Sequence, residues 1–248
     1  MAEPLLSGVG LYRRFGGLDA VDGVAIELHR GVLHAVLGPN GAGKSTLINL
    51  LSGVLAPSAG TIRFQGQDIA RLRPDRRSRL GIGRSFQKTN VFPEFTAFEN
   101  CRLAAQSRAP HAWRVFSDAL RYRPVVARAV RALEQAGLAG RGDLLASALS
   151  HGEQRQLEIA MVLATDPEVL LLDEPLAGMG AEESLAMVAL IRTLKPGHAV
   201  LLVEHDLDAV FAVADIITVM VNGRVLETGS PETIRRSPAV AEAYLGHG

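Results

Sequence analysis

The residues able to do chemistry lie in four short stretches. The run Gly38-Pro39-Asn40-Gly41-Ala42-Gly43-Lys44-Ser45-Thr46 fits the pattern GxxxxGK[ST] at each fixed position. Glycines let such a loop wrap a phosphate, because a Cβ blocks both the turns and the close approach. The loop amides then point inward, and the N-terminus of a following helix faces the same anion. In this arrangement Lys44 reaches the β- and γ-phosphates and the Ser45 hydroxyl ligates Mg²⁺. Asp173 and Glu174 follow four consecutive apolar residues, 169–172. A carboxylate at the end of a buried strand sits where α/β sheets bind ligands. Asp173 is placed to hold the Mg²⁺ shell, directly or through water, and Glu174 to orient and polarise an attacking water. Without a phosphate loop beside it, the same pair reads as a solvated turn. His205 follows Leu201-Leu202-Val203-Glu204 and is placed either to donate to a γ-phosphate or to pair on the surface with Glu204 or Asp206. Gln87 follows a similar short strand and is placed to sense Mg²⁺ or the attacking water.

The elements that must position these groups are legible as periodicities. Residues 34–37 form a short apolar run before the glycine loop, and Leu47, Leu50, Leu51 and Val54 then recur at helical spacing. Strand, loop, helix is the context a phosphate site needs. Residues 18–28 alternate partially and suggest a curled strand in a small sheet, with Phe15-Gly16-Gly17 interrupting the segment before it. Residues 61–64 read as a strand, and residues 71–84 carry six arginines. From residue 95 to about 149 the texture is rich in alanine and arginine, with leucines at helical spacing and expected breaks near Pro110, Pro124 and residues 137–142. The α/β texture then returns: helix over 153–164, strand over 169–172, helix over 181–194, strand over 199–204 and a short helix over 207–214. Asn222-Gly223 is a hairpin signal between strands 216–221 and 224–227, and short helices end the chain at 231–236 and 239–245.

Composition excludes several classes. The 248 residues are 48% apolar and 21% charged, which is globular rather than disordered or fibrous. Lys plus Arg number 26 and Asp plus Glu 26, so a general nucleic-acid binder, which carries a basic excess, is disfavoured. Cys101 is the single cysteine, which rules out a disulfide framework or a cysteine-rich metal site within one chain. The apolar runs are strand-sized and the first residues show no secretory signal, so the expectation is a cytoplasmic chain with at most a peripheral membrane role. His29, His34, His111, His151, His198, His205 and His247 are scattered without metal-ligand spacing.

Taken together, these residues resemble one family, the nucleotide-binding subunits of ABC transporters, over essentially the whole chain. Residues 38–46 look like the Walker A loop, Gln87 like the Q-loop glutamine, residues 169–174 like Walker B with its glutamate, and His205 like the switch histidine. Leu149-Ser150-His151-Gly152-Glu153 looks like the family signature, usually LSGGQ. Phe15, twenty-three residues before Gly38, stands where the family places the aromatic that stacks on adenine; ordinary core packing is its alternative. The resemblance implies an α/β fold: an ABC-type P-loop ATPase core (1–90 and 150–248) with a small antiparallel β region and an inserted helical subdomain (91–149), all one nucleotide-binding domain. It implies ATP and Mg²⁺ as cofactors, with Ser45, Gln87 and Asp173 at the metal. It implies head-to-tail pairing with a second ABC ATPase subunit, whose nucleotide Ser150, Gly152 and Glu153 would complete in trans. His151, Glu153 and Gly180 depart from the common pattern, Gly180 standing where the family usually has aspartate.

The finer resemblance is to importer subunits for branched-chain amino acids, carried by Phe15-Gly16-Gly17-Leu18, by residues 86–93 running on to Glu99-Asn100, by Val203-Glu204-His205-Asp206 and by Ala243-Tyr244-Leu245-Gly246. The urea or short-chain amide importer branch has a similar His151-Gly152 signature. Two permease subunits and, indirectly, a solute-binding protein are then the implied partners, with the chain peripheral on the cytoplasmic face of the membrane. A permease would dock near residues 87–99, where Phe92, Phe95 and Phe98 are the apolar candidates; core packing is the alternative for each. Arg108, Arg114, Arg121, Arg123, Arg128 and Arg131 read as a solvated helix face or, alternatively, a lipid-facing cluster. A non-transport ABC ATPase usually carries two nucleotide domains or a long coiled-coil insertion, neither of which this sequence shows. A binding partner without turnover is disfavoured by intact Lys44, Asp173, Glu174 and His205.

Overall fold

The computed structural model describes residues 3–87, 90–108 and 123–245. The segments expected to break at Pro110 or to carry His111, Arg114, Arg121, Gly246 and His247, and residues Lys88 and Thr89 of the importer-like run, lie outside them.

Two long strands open the chain, β1 (Leu6–Phe15) and β2 (Leu18–Leu28), joined by a tight turn at Gly16-Gly17. The sequence reading placed β2 and missed β1. Its apolar positions are spaced irregularly because the register shifts three times along the β1–β2 ladder, so alternation is lost. β3 (Leu33–Leu37) leads through the glycine loop into α1 (Lys44–Ser52). Then come β4 (Ala59–Phe64), β5 (Gln67–Asp68), α2 (Pro74–Leu80) and β6 (Ile82–Arg84). α3 (Ala97–Gln106) and α4 (Arg123–Gln135) form the helical region, followed by α5 (His151–Ala164). The break expected near Pro124 falls at the edge of the described residues: α4 runs from Arg123, and residues 109–122 lie outside them. The remainder alternates: β7 (Val169–Asp173), α6 (Ala181–Leu194), β8 (Ala199–Val203), α7 (Leu207–Val213), β9 (Ile216–Val221), β10 (Arg224–Gly229), α8 (Pro231–Arg236) and α9 (Pro238–Leu245).

Two sheets result. β2-β1-β4-β5 is antiparallel, while β10-β9-β3-β8-β7-β6 is parallel except for the β9–β10 hairpin. The central strands β3, β7 and β8 are buried on both faces, which is why they read as continuous apolar runs. Leu170, Leu172, Val200 and Leu202 face a core shared with α3 to α7. Val169, Leu171, Ala199, Leu201 and Val203 face a second core, shared with α1 and the antiparallel sheet. The strand ends that carry the chemistry are thus clamped from both sides.

Two of the six arginines in 71–84 are structural rather than solvated. Arg77 is fully buried, and its guanidinium donates to the carbonyls of Leu50 and Leu51, both at 2.7 Å, and to those of Leu72 and Ala70, both at 3.0 Å. The first two lie in the last turn of α1, where a cation is favoured, and the Leu50 carbonyl also accepts the capping Gly53 amide. Burial pulls the Arg77 pKa down to about 10, the cost of placing that charge inside. The second arginine, Arg84, belongs to the site.

Candidate functional site

The glycine loop has the shape a phosphate requires. A Cβ on Gly38 would lie 2.2 Å from the Met220 carbonyl oxygen, and one on Gly43 would lie 2.3 Å from that of Ala20, so neither position admits a side chain. Gly43 has φ +99°, and Gly41, with φ +78°, opens toward solvent. Lys44 begins α1 and is buried; its ammonium donates to the Gly38 and Pro39 carbonyls at 2.6 and 3.1 Å, which holds it folded back along the loop. Burial lowers its pKa, while the carboxylates of Glu174, Asp173 and Glu204 pull it back up. Beside the loop lies an open cleft of about 650 Å³, lined by residues 40–46, Gln87 and Glu174 and by Phe15, Leu18, Asp19, Ala20 and Asn222. Phe15 is 44% exposed, and the Arg13 guanidinium covers its ring at 4.7 Å.

Asp173 and Glu174 leave β7 in different ways. Asp173 is buried, and burial raises its pKa against the pull of Arg84, whose Nη2 donates to Oδ2 at 2.9 Å. Arg84 is itself held by Asn49 Oδ1 at 2.6 Å and Ser52 Oγ at 2.7 Å, both on α1. Glu174 adopts φ +47°, a left-handed conformation costing about 1–3 kcal/mol in a residue with a side chain. Its amide donates to the Val203 carbonyl at 2.8 Å, and its Oε2 accepts from Gln87 Nε2 at 2.8 Å. This twist turns the carboxylate into the cleft, out of line with the strand. Gln87 is in turn held from α5. Glu158 accepts the Phe86 amide at 2.7 Å, and Arg155 donates to the Phe86 carbonyl at 3.0 Å and also to that of Gln87.

His205 follows β8 with an exposed side chain, its Nδ1 3.6 Å from Glu204 Oε2. It does not line the cleft of Phe15, nor do Ser150, Gly152 and Glu153, which line a separate hollow with Met179 and Glu183. Ser150 caps α5: its hydroxyl accepts from the Glu153 amide at 3.2 Å, and the Glu153 carboxylate accepts from the Ser150 amide at 2.9 Å. That reciprocal pair works with either Glu or Gln three residues after the cap, which accounts for Glu153 physically. Arg141 adds an ion pair to Glu153 at 2.8 Å. One monomer therefore brings Phe15, residues 40–46, Gln87 and Glu174 together and leaves the 150–153 group elsewhere.

Two residues, Arg84 and Glu183, escaped the sequence reading. The pairing of His205 with Glu204 is present, but Glu204 is buried rather than at the surface, and nothing in its spacing signals that. Glu183 accepts from the Gly180 amide at 3.4 Å and from the Gly152 amide at 3.1 Å, linking the start of α6 to that of α5. The interval of three residues from Gly180 to Glu183 was its only sequence signal. The donors near Lys44 suit a hard cation brought in by phosphates: a serine hydroxyl, a carboxylate and an amide oxygen. Among the described residues no cluster of three or more His, Cys, Asp or Glu offers an alternative metal site.

A family model described as "ABC transporter" matches residues 21–177, more than half of the chain. This chain belongs to the ABC transporter ATP-binding family. A second model, described as "Branched-chain amino acid ATP-binding cassette transporter", matches residues 224–248 of this ABC chain. The chain is 40% identical over 259 aligned residues to the high-affinity branched-chain amino acid transport ATP-binding protein LivG of Escherichia coli K12, covering 99% of both chains. It is 40% identical over 256 residues to the corresponding protein BraF of Pseudomonas aeruginosa, again covering 99% of both. The ABC cassette also matches the ADP conformation of MJ1267, an ATP-binding cassette of an ABC transporter, at TM-score 0.87 and 30% identity, covering 99% of this chain and 100% of that one. A nucleotide-free ATP-binding cassette matches at TM-score 0.86 and 30% identity, covering 97% of this chain and 98% of that one.

Proposed function

We propose that this chain is the ATP-hydrolysing subunit that energises a membrane importer for branched-chain amino acids. The observation that carries ATP turnover is the single cleft joining Lys44 and Ser45 of the glycine loop to Gln87 and Glu174. The solute class rests on the full-length likeness to LivG and BraF and on the match over residues 224–248.

In this reading the loop amides and Lys44 bind the phosphates of ATP. Ser45, Gln87 and Asp173 would hold Mg²⁺, which would supply charge neutralisation for the phosphates. Glu174 takes a proton from the attacking water, a role its left-handed backbone and its bond from Gln87 support by aiming the carboxylate into the cleft. His205 donates toward the γ-phosphate, and Ser150, Gly152 and Glu153 serve the nucleotide on a second cassette. Their separation from the cleft within one chain is what a shared, two-chain site requires. Phe15 stacks on the base. Its replacement (Phe15→Ala) should weaken ATP binding by about 1–3 kcal/mol, roughly 5- to 150-fold, with little change in turnover at saturation. Titration with a fluorescent ATP analogue reads this directly, and an unchanged affinity returns Phe15 to ordinary packing.

The membrane partners are two permease subunits, with a solute-binding protein acting through them, at the cytoplasmic face. Among the described residues no helix is long and apolar enough to cross a membrane. Phe92 and Phe95 support docking near residues 87–99: they are 52% and 40% exposed, with rings 5.5 Å apart. Phe98 packs against the core instead. The test is uptake of labelled leucine and labelled urea by the native host with the gene intact, deleted and restored. Loss of leucine uptake alone, recovered on complementation, is the expected result. Loss of urea uptake alone would reassign the solute and leave the ATPase reading in place.

A further inference from the structure

Glu204 is completely buried, yet it is a carboxylate, and its one part in the site so far is a through-space pull on Lys44. An isolated buried charge costs several kcal/mol, so the fold keeps one only where its partners are good. Here they come from two different strand ends. Oε1 accepts the amide of Leu176, in the loop leaving β7, at 2.8 Å, and Oε2 accepts the amide of His205 at 3.0 Å. The same Oε2 lies 3.6 Å from His205 Nδ1. The tie to His205 thus runs through its backbone amide, with the imidazole lying beside the same carboxylate oxygen. Burial raises the Glu204 pKa, and the amides of Leu176 and His205 oppose that rise.

The Leu176 end matters because of where its loop goes. Two residues before it stands Glu174, hung from β8 through its own amide on Val203. Four residues after it stands Gly180, which starts α6 and is tied by Glu183 to Gly152 at the start of α5. One carboxylate thus joins the residue proposed to touch the γ-phosphate to the loop that runs from the proposed base toward the 150–153 group.

We propose that Glu204 is a positioning residue that locks His205 to the 174–180 loop, so that both strand ends move as one unit when the site closes on nucleotide. This rests on the ATPase reading above and adds to it a residue that touches neither nucleotide nor metal. An apolar residue of similar size would orphan two amides. Glutamine keeps the shape but presents an NH₂ group to one of them.

The test is a double-mutant cycle on the full-length chain: Glu204→Gln, His205→Ala and both together, each read for ATP affinity and for maximal turnover. ATP affinity in E204Q should stay within about two-fold of the parent, because Glu204 makes no hydrogen bond to the glycine loop and acts on Lys44 only as the last of three carboxylates. Turnover should fall by about 3- to 100-fold, the range typical of coupled neighbours. In the H205A background the same change should cost little more. Equal losses in both backgrounds, or unchanged turnover in E204Q, would overturn the proposal. Parental turnover in H205A would instead remove His205 from the mechanism and the proposal with it, while a parent chain that hydrolyses no ATP would sink the reading beneath both. Should E204Q not fold, Glu204→Asp carries the same cycle, because it keeps the charge and loses the reach to one amide.

Discussion

Glu174→Gln should leave ATP binding intact and lower hydrolysis by about 10²- to 10⁴-fold, the usual worth of a positioned general base. The substitution is nearly isosteric, and the left-handed backbone at φ +47° carries the same strain for either side chain, so folding stability should barely change. The bond from Gln87 Nε2 survives, because the new amide keeps an oxygen that can accept it. What is lost is the proton acceptor and one negative charge beside the γ-phosphate. Both losses favour an ATP-bound state that does not turn over, so ATP-dependent pairs of cassettes should accumulate. Phosphate release, equilibrium ATP binding and sedimentation with and without ATP measure the three outcomes. Turnover within a factor of about ten of the parent would remove Glu174 from its assigned role.

Lys44→Ala acts on the other side of the same step. The ammonium is buried and already points along the loop toward the Gly38 and Pro39 carbonyls, so little reorganisation separates it from a bound phosphate. Truncating one partner of a desolvated charge pair costs about 2–5 kcal/mol, which predicts roughly 30- to 5,000-fold weaker ATP binding. Without nucleotide the variant should melt close to the parent. Two hydrogen bonds from the ammonium to backbone carbonyls are lost, but so is the desolvation of a cation, seen in the lowered Lys44 pKa. Thermal unfolding with and without ATP separates these effects: the apo midpoint should hold while the shift produced by ATP disappears. A collapsed apo midpoint would make Lys44 a structural residue first.

The two variants differ in how much of their logic was visible beforehand. Lys44 sits in a loop whose chemistry is local: glycine spacing, a preceding strand and a following helix all lie within one stretch of chain, and neighbouring residues suffice to read it. Glu174 was visible as a carboxylate after an apolar run, but its twist into the cleft was not, because its backbone amide donates to the Val203 carbonyl at the end of a different strand. Arg84 looked like one arginine among six until the fold put its guanidinium on Asp173. β1 escaped notice because its register shifts erase the two-residue period.

Local spacing by itself determined the phosphate loop, the parallel strands buried on both faces, the long helices and the positions of the strand-end carboxylates. Those signals survive in one dimension because backbone periodicity and loop stereochemistry act over a few residues. Only the tertiary structure decided which groups share a cleft and which do not. It set Phe15 and Glu174 in one cleft, left Ser150 and Gly152 in a separate hollow, and made Arg77, Arg84 and Glu204 internal ties. The physical reason is that a buried charge is defined by its partners. Those partners arrive from strands and helices far apart in the chain, where no spacing rule in the sequence can announce them.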